Sequence, residues 1–245
     1  MKPARPAVAV IPAAMAVAVM LAACGGQPAS TSPSSPTPAA PTASPQSPPA
    51  QSPGSPSPSP SSRVVSFRLT YPWHWPNDPA MPGRVTHVTA APPVPGLVRI
   101  SVGTHPGAGG QPPYDRMAFT FNRAFPRYRF AFTSRLIGDA SGAVIPLRGS
   151  GVLKIVFTLA QAHTADGTRF TIAAQPARNL GFPRMTDYAQ AGDFEGVLTY
   201  GIGVSWPVPH ANPQLPVRAY EAETITLAGQ HQYVIAIDIS AGRHA

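Results

Sequence analysis

The sequence predicts an all-β domain of antiparallel sheets, arranged as a sandwich or a barrel. Three observations lead to this prediction: short runs in which apolar and polar residues alternate, Gly- and Pro-rich segments between the runs, and no comparably long helical pattern. Alternation with a period of two places one set of side chains in the core and the other in solvent. The domain is expected to span residues 97–240, with a short tail at 241–245.

The strands of this domain are predicted from six alternating runs, at 98–102, 117–121, 128–132, 153–159, 198–204 and 233–239. Turn signals rich in Gly and Pro separate them, for example at 103–113 and 138–142. The segment 179–191 links two strands without alternating, and a short helix is expected there.

The N-terminus has the layout of a lipoprotein signal peptide at residues 1–23. Lys2 and Arg5 precede an apolar run, and the run ends in Leu-Ala-Ala-Cys, where Cys24 is the only cysteine of the chain. This tetrapeptide resembles the lipobox of bacterial lipoproteins, in which the cysteine is diacylated and becomes the mature N-terminus. A retained membrane helix is the alternative, but the run is shorter than the ~20 residues that a membrane-spanning helix needs. The chain is therefore expected on the outer face of the cytoplasmic membrane, anchored through Cys24.

Residues 24–62 are predicted to be a disordered tether. Beyond Cys24 they consist almost entirely of Pro, Ser, Ala, Thr and Gln and carry no charged side chain, so ordering them would bury too little apolar surface to offset the entropy cost. A flexible coil of this length spans roughly 35 Å. That reach would carry the domain from the bilayer into the wall.

The charge of the mature chain limits its partners. Removal of Lys2 and Arg5 leaves 16 basic against 10 acidic residues, a net charge of +6, and Lys154 is then the only lysine. A mild positive charge favours anionic surfaces such as lipid headgroups, wall polymers or carboxylate-bearing peptides. Nucleic acid is not expected, because no Arg/Lys cluster or stacking motif accompanies the charge.

Residues 63–96 form an N-terminal extension that is expected to pack on the domain or to lead into it. Alternation at 65–69 predicts a first strand, and the aromatic segment 71–78 follows it. Two interpretations fit Trp73 and Trp75 in that segment. They form a platform on which a sugar ring stacks, or they fold back and close one end of the domain.

Three stretches together resemble the AMIN-like domain of actinobacterial lipoproteins. They are Val-Arg-Ile at 98–100 with Gly-Thr-His at 103–105, Tyr-Asp-Arg-Met-Ala-Phe at 114–119, and Asp-Phe-Glu-Gly-Val-Leu-Thr-Tyr-Gly-Ile-Gly at 193–203. A final apolar strand ending in Asp238 also fits, whereas the loop at 107–113 is longer than the usual pattern. The resemblance implies a β-sandwich. Related AMIN domains locate envelope proteins by binding peptidoglycan, so it also implies a non-catalytic module for peptidoglycan or another wall polymer, and a subunit that docks on an envelope protein is the alternative.

A search for catalytic and cofactor motifs gives no candidate. The chain has no H-E-x-x-H motif, no G-x-S-x-G elbow and no glycine-rich phosphate loop, and no enzyme activity, metal or cofactor is predicted. The residues singled out for ligand binding are Arg116, whose planar fork suits a carboxylate, and its neighbours in the motifs: Asp115, His105 and Glu195. In the alternative interpretation these residues only form ion pairs and turns at the ends of strands. A hydrolase would require His105, Asp115 and Glu195 to share one pocket.

Overall fold

The computed structural model of the chain describes residues 62–88, 93–206 and 215–242. The predicted signal peptide, Cys24 and the linker up to residue 61 lie outside these ranges, so the predictions made for them remain predictions. Within the ranges, no helix is long and apolar enough to cross a membrane.

The described ranges contain strands and no helix, which confirms the all-β prediction. The twelve strands are β1 (Arg63–His74), β2 (Arg84–Val85), β3 (Leu97–His105), β4 (Tyr114–Phe121), β5 (Arg127–Thr133), β6 (Leu136–Ile137), β7 (Val144–Ile145), β8 (Gly151–Thr158), β9 (Met185–Phe194), β10 (Val197–Val204), β11 (Val217–Ile225) and β12 (His231–Ser240).

Ten of these strands form two antiparallel five-stranded sheets. The order in the first sheet is β1-β11-β12-β4-β3, and the order in the second is β2-β5-β8-β10-β9. The remaining strands, β6 and β7, pair with each other as a small hairpin. The two larger sheets form the layers of a β-sandwich.

The core lies between the two sheets and is held together by aromatic contacts across the layers. The ring of Phe119 on β4 lies 5.0 Å from that of Phe157 on β8 and 5.4 Å from that of Tyr200 on β10. All three side chains are buried, as their positions in the alternating runs predict. Edge-to-face and tilted ring pairs of this kind stabilise a core beyond the area they bury.

The segment 63–96 contributes a strand to each sheet. β1 pairs with β11 along most of its length and forms one edge of the first sheet, while β2 pairs with β5 at one edge of the second. Tyr71 of β1 is buried, and its ring lies 5.1 Å from that of Phe130 in an edge-to-face contact. The extension therefore supplies part of the core.

The first predicted strand is present, but its apolar residues face solvent: Val65, Phe67 and Leu69 are all exposed. On the opposite side of β1, Arg68 donates a hydrogen bond to the buried carboxylate of Glu221 at 2.6 Å. This first half of β1 is therefore joined to β11 by backbone pairing and an ion pair, and Tyr71 is the residue of β1 that is buried in the core.

The expectation of a short helix at 179–191 is wrong, because residues 185–194 form strand β9. Two irregularities in the pairing of β9 with β10 each pass over one residue, at Thr186 and at Ala191. A bulge shifts the following side chains to the other face of the sheet, so the period-two pattern is interrupted twice within ten residues. The strand is therefore not visible as an alternating run.

Candidate binding surface

Asp238 is the acidic centre of a charged group on the outer face of the first sheet. In the register of the sheet it lies directly opposite Arg218 of β11 on one side and Arg116 of β4 on the other. Its neighbours Ile237 and Ile239 are buried in the core, so alternation turns the carboxylate to the opposite face. One carboxylate is thus placed between two arginines by strand pairing alone.

Both arginines bind this carboxylate through two nitrogen atoms. Arg116 donates from Nε to Oδ1 at 2.6 Å and from Nη2 to Oδ2 at 2.9 Å. Arg218 donates from Nε and Nη2 to Oδ2, at 3.2 and 2.8 Å. Burial lowers the pKa of the Arg116 guanidinium, but the hydrogen bonds and the charge of Asp238 outweigh this effect and raise the pKa above its ordinary value. The group therefore has one negative and two permanent positive charges.

Aromatic rings surround the two guanidinium groups. The guanidinium carbon of Arg218 lies 4.3 Å from the ring centre of Trp73, 4.5 Å from that of Tyr220 and 4.9 Å from that of Tyr114. The guanidinium of Arg116 lies 5.2 Å from both tyrosine rings. These distances are within the range of cation–π attraction. We call these residues the arginine–aromatic cluster: Trp73, Tyr114, Arg116, Arg218, Tyr220 and Asp238.

His105 extends the cluster at its edge, and Gln111 ties a loop to it. The His105 ring stacks on Tyr114 at 4.6 Å. The Gln111 side-chain oxygen accepts hydrogen bonds from Arg218 Nη1 at 2.7 Å and from the indole nitrogen of Trp73 at 2.9 Å. Gln111 belongs to the loop between β3 and β4, so that loop is attached to the cluster by its side chain.

A cleft of about 340 Å³ adjoins the cluster. We call it the tryptophan cleft, and it is lined by Trp73, His74, Trp75, Pro112, Pro216 and Ser240. Trp75 at its rim is 49% exposed. The Trp73 ring belongs to both features, because it contacts Arg218 and also lines the cleft.

This surface combines ring faces with fixed hydrogen-bond donors. Flat aromatic walls suit the C–H face of a sugar ring, and a guanidinium suits a carboxylate. Arg116 keeps an exposed fraction of 29%, and its Nη1 group has no acceptor within the described chain. Asp238 already occupies the Nε–Nη2 edge of Arg116, so a ligand carboxylate would meet the Nη1 edge instead.

Asp115 lies on the other side of the first sheet, away from its sequence neighbour Arg116. Its side chain is fully buried, and Oδ2 accepts hydrogen bonds from the backbone N–H groups of Arg184 at 2.6 Å and Met185 at 3.0 Å. It therefore joins the start of β9 to the first sheet. The second oxygen, Oδ1, is buried and has no partner among the described atoms.

Glu195 is remote from the other predicted residues. It lies with Gly196 in the two-residue turn between β9 and β10, on the second sheet, and both have positive φ angles of 49° and 73°. Positive φ at both central positions is the geometry of a type I′ hairpin turn. The structure thus brings Trp73, Trp75, His105 and Arg116 to one region, and it places Asp115 and Glu195 elsewhere.

Sequence reasoning missed Arg218, Tyr220 and Gln111. Strand β11 was not predicted, because the buried Glu221 occupies an inward position where an apolar residue would be expected. Gln111 lies in a loop, where no hydrophobic period predicts the position of a side chain. The available signal was the alternation of Arg218 and Tyr220 with Val217 and Ala219, which is too short to be decisive.

Comparison with protein families gives one match. A family model described as the AMIN-like domain matches residues 96–237, more than half of the chain. The chain belongs to the AMIN-like domain family. Searches of curated proteins and of solved structures find no match to it.

The motifs of this AMIN-like domain are explained by the fold. Asp193 Oδ2 accepts from the backbone N–H of Ala162 at 3.1 Å and pairs with His163 Nδ1 at 2.8 Å, which fixes the chain after β8. A side chain at Gly203 would collide with the carbonyl oxygen of Arg148, so this position requires glycine. Trp73 and Trp75 precede the matched residues, so these two walls of the cleft are additions to the matched domain.

We expect Asp238→Asn to destabilise the domain strongly. Removing the shared negative charge leaves two adjacent arginines, Arg116 and Arg218, without their counter-charge, and breaking a buried ion pair costs about 3–5 kcal/mol. Chemical denaturation followed by tryptophan fluorescence measures the loss. The matched control is Asp139→Asn, whose pair with Lys154 is longer, at 3.4 Å, and partly exposed. The control should cost less than about 1 kcal/mol, and equal midpoints for the two variants would contradict the role assigned to Asp238.

Proposed function

We propose that this protein is a non-catalytic binding module of the cell envelope that contacts peptidoglycan or another wall polymer. The observation that carries the proposal is the tryptophan cleft beside the arginine–aromatic cluster. Membership of the AMIN-like family, which is associated with the cell envelope, supports the location. No enzyme activity is part of the proposal.

Binding would use stacking and charge together. A sugar ring of the polymer would stack on Trp73 or Trp75 in the cleft, and a carboxylate of the same polymer would bind the free edge of Arg116. Asp238 and the surrounding rings already hold the arginine side chains, so little side-chain entropy is lost when a ligand binds. A preformed surface of this kind suits a module that must hold a repeating polymer.

The membrane anchor belongs to the same proposal. Cys24 would carry the diacylglyceryl group and hold the chain on the outer face of the cytoplasmic membrane, since two acyl chains are sufficient for stable anchoring. The Pro/Ser-rich linker would then set the distance that the domain can search. The sequence of residues 1–62 supports this part of the proposal.

The positions of the predicted acids and of His105 support a non-catalytic role. His105 lies on the outer face of the first sheet, Asp115 is buried on its inner face, and Glu195 lies in a turn of the second sheet. These three groups do not share a pocket. A general acid and base must both reach the same substrate, so this set does not form a hydrolytic site.

We expect the mature chain from residue 24, carrying Cys24→Ser, to co-sediment with purified sacculi. Replacing both Trp73 and Trp75 by Ala should weaken the affinity for sacculi roughly tenfold, since stacking on each aromatic ring contributes about 0.5–1.5 kcal/mol. Phe170→Ala is the control, because Phe170 is also an exposed aromatic residue but lies outside the cleft. Equal retention of the parent chain and the double variant would exclude the cleft as the wall-binding site.

The alternative function is a subunit that docks on an envelope protein, and a separate observation favours it. Val65, Phe67 and Leu69 form an exposed apolar strip on β1, an edge strand, and the Phe67 ring lies 5.0 Å from that of Tyr220 in the cluster. Exposed edge strands can pair with an added strand of another protein.

A photo-crosslinking residue at position 67 tests this alternative in intact cells. The docking hypothesis predicts a reproducible protein adduct from position 67 and none from position 144, which is also an exposed apolar position but lies on the β6–β7 hairpin. The same adducts from both positions, or none from either, would exclude docking through β1.

A further inference from the structure

The outer face of the second sheet is partly covered and partly open. At one end the β6–β7 hairpin covers it, and Leu136 packs there with Val152 and Ala189 in a small buried cluster separate from the main core. The other end consists of β2, β5, β8 and the first residues of β10. This end carries adjoining cavities, although Val156 and Thr199 within it are buried.

Cationic side chains gather on the open end. Arg84 of β2 lies directly opposite Arg129 of β5 in the register, and Arg127 is two residues from Arg129 on the same face. Like charges directly opposite each other in a sheet are destabilising. Yet no carboxylate of the described residues pairs with any of these three arginines. Lys154 adds a fourth positive charge, and its pair with Asp139 is long and partly exposed.

These four side chains line two adjacent cavities of about 460 and 310 Å³. Arg84 and Arg129 belong to both cavities, and no acidic residue lines either of them. A third cavity of about 550 Å³ shares Arg129 and Lys154 with them, and Asp139, Asp193 and Glu195 line it on the side of the β9–β10 turn. We call this region the cationic groove: Arg84, Arg127, Arg129 and Lys154. Guanidinium groups present planar forks of N–H donors that suit phosphate oxygens.

An apolar hairpin tip lies on the same face as the groove. In the register, Arg127 is opposite Thr158, Thr158 is opposite Val197, and Val197 is opposite Phe194, so one row of side chains runs from the groove to the tip. Phe194 is 72% exposed and Val197 is 36% exposed. A soluble polyanion would leave these apolar groups in water. A phospholipid surface has both phosphate groups and an apolar layer beneath them.

We propose that this face docks on anionic phospholipid headgroups. The cationic groove binds lipid phosphates, and Phe194 and Val197 enter the interface at the level where the acyl chains begin. Glu195 is the exposed carboxylate of the tip, and it opposes this docking by charge repulsion. The proposal is independent of the proposed wall binding, because the tryptophan cleft lies on the first sheet and the groove on the second.

Sedimentation with lipid vesicles tests the proposal. All twelve strands lie between residues 63 and 240, so the chain from residue 24 with Cys24→Ser keeps the whole sandwich and carries no acyl group. It is mixed with vesicles of phosphatidylcholine alone or of phosphatidylcholine and phosphatidylglycerol in equal parts. Attachment is expected only to the anionic vesicles.

Two charge variants separate the groove from net charge. Arg84→Gln with Arg129→Gln should weaken attachment roughly 25-fold, since each cation near an anionic surface contributes about fivefold. Arg63→Gln with Arg99→Gln removes the same charge from exposed positions on the first sheet and should have much less effect. Phe194→Ala should weaken attachment, and Glu195→Gln should strengthen it, which gives a test that does not depend on losing binding.

Three outcomes would overturn the proposal. One is no attachment to anionic vesicles by a folded chain. Another is an equal loss in both charge variants, which would mean attachment by net charge alone. The third is attachment that soluble polyphosphate abolishes and that Phe194→Ala leaves unchanged, because the groove would then bind a soluble polyanion and not a membrane.

Discussion

The shared carboxylate of Asp238 is the interaction on which the first sheet and its outer face depend. It neutralises one of the two positive charges that strand pairing places on either side of it. Its hydrogen bonds also hold both guanidinium groups next to three aromatic rings. Through Arg218 and Gln111 the same ion pair holds the long loop against Trp73. The ion pair therefore helps to position Trp73, one of the residues that line the tryptophan cleft.

Local pattern was sufficient for the fold class, and strand pairing was needed for the site. The runs around Phe119, Phe157 and Tyr200 alternate regularly, and these residues meet in the core as expected. Strand β9 escaped prediction because two bulges interrupt its period, and β11 escaped because Glu221 is a buried acid. Both failures occur where a backbone irregularity or a polar contact overrides the hydrophobic pattern.

The candidate site shows the same division. Arg116, Trp73 and His105 were recognised as residue types that bind ligands, but sequence could not show that the partner of Arg116 is Asp238 on another strand. Asp115 is the neighbour of Arg116 in the sequence, yet alternation sends it to the opposite face of the sheet. Neighbouring residues on a strand are separated by the sheet itself, and long-range pairing decides which charges meet.

The two outer faces of the sandwich have different chemistry, so each face suits a different binding partner. The first sheet carries ring faces around a satisfied ion pair, and the second carries arginines without a carboxylate partner beside an apolar tip. The most direct measurement on the central claim is indole N–H NMR of the chain titrated with soluble peptidoglycan fragments, because two of its three tryptophans line the cleft and the third does not. The account predicts that the signals of Trp73 and Trp75 shift while that of Trp206, which packs on Phe132 and does not line the cleft, stays in place. Shifts of all three signals, or of Trp206 alone, would contradict it.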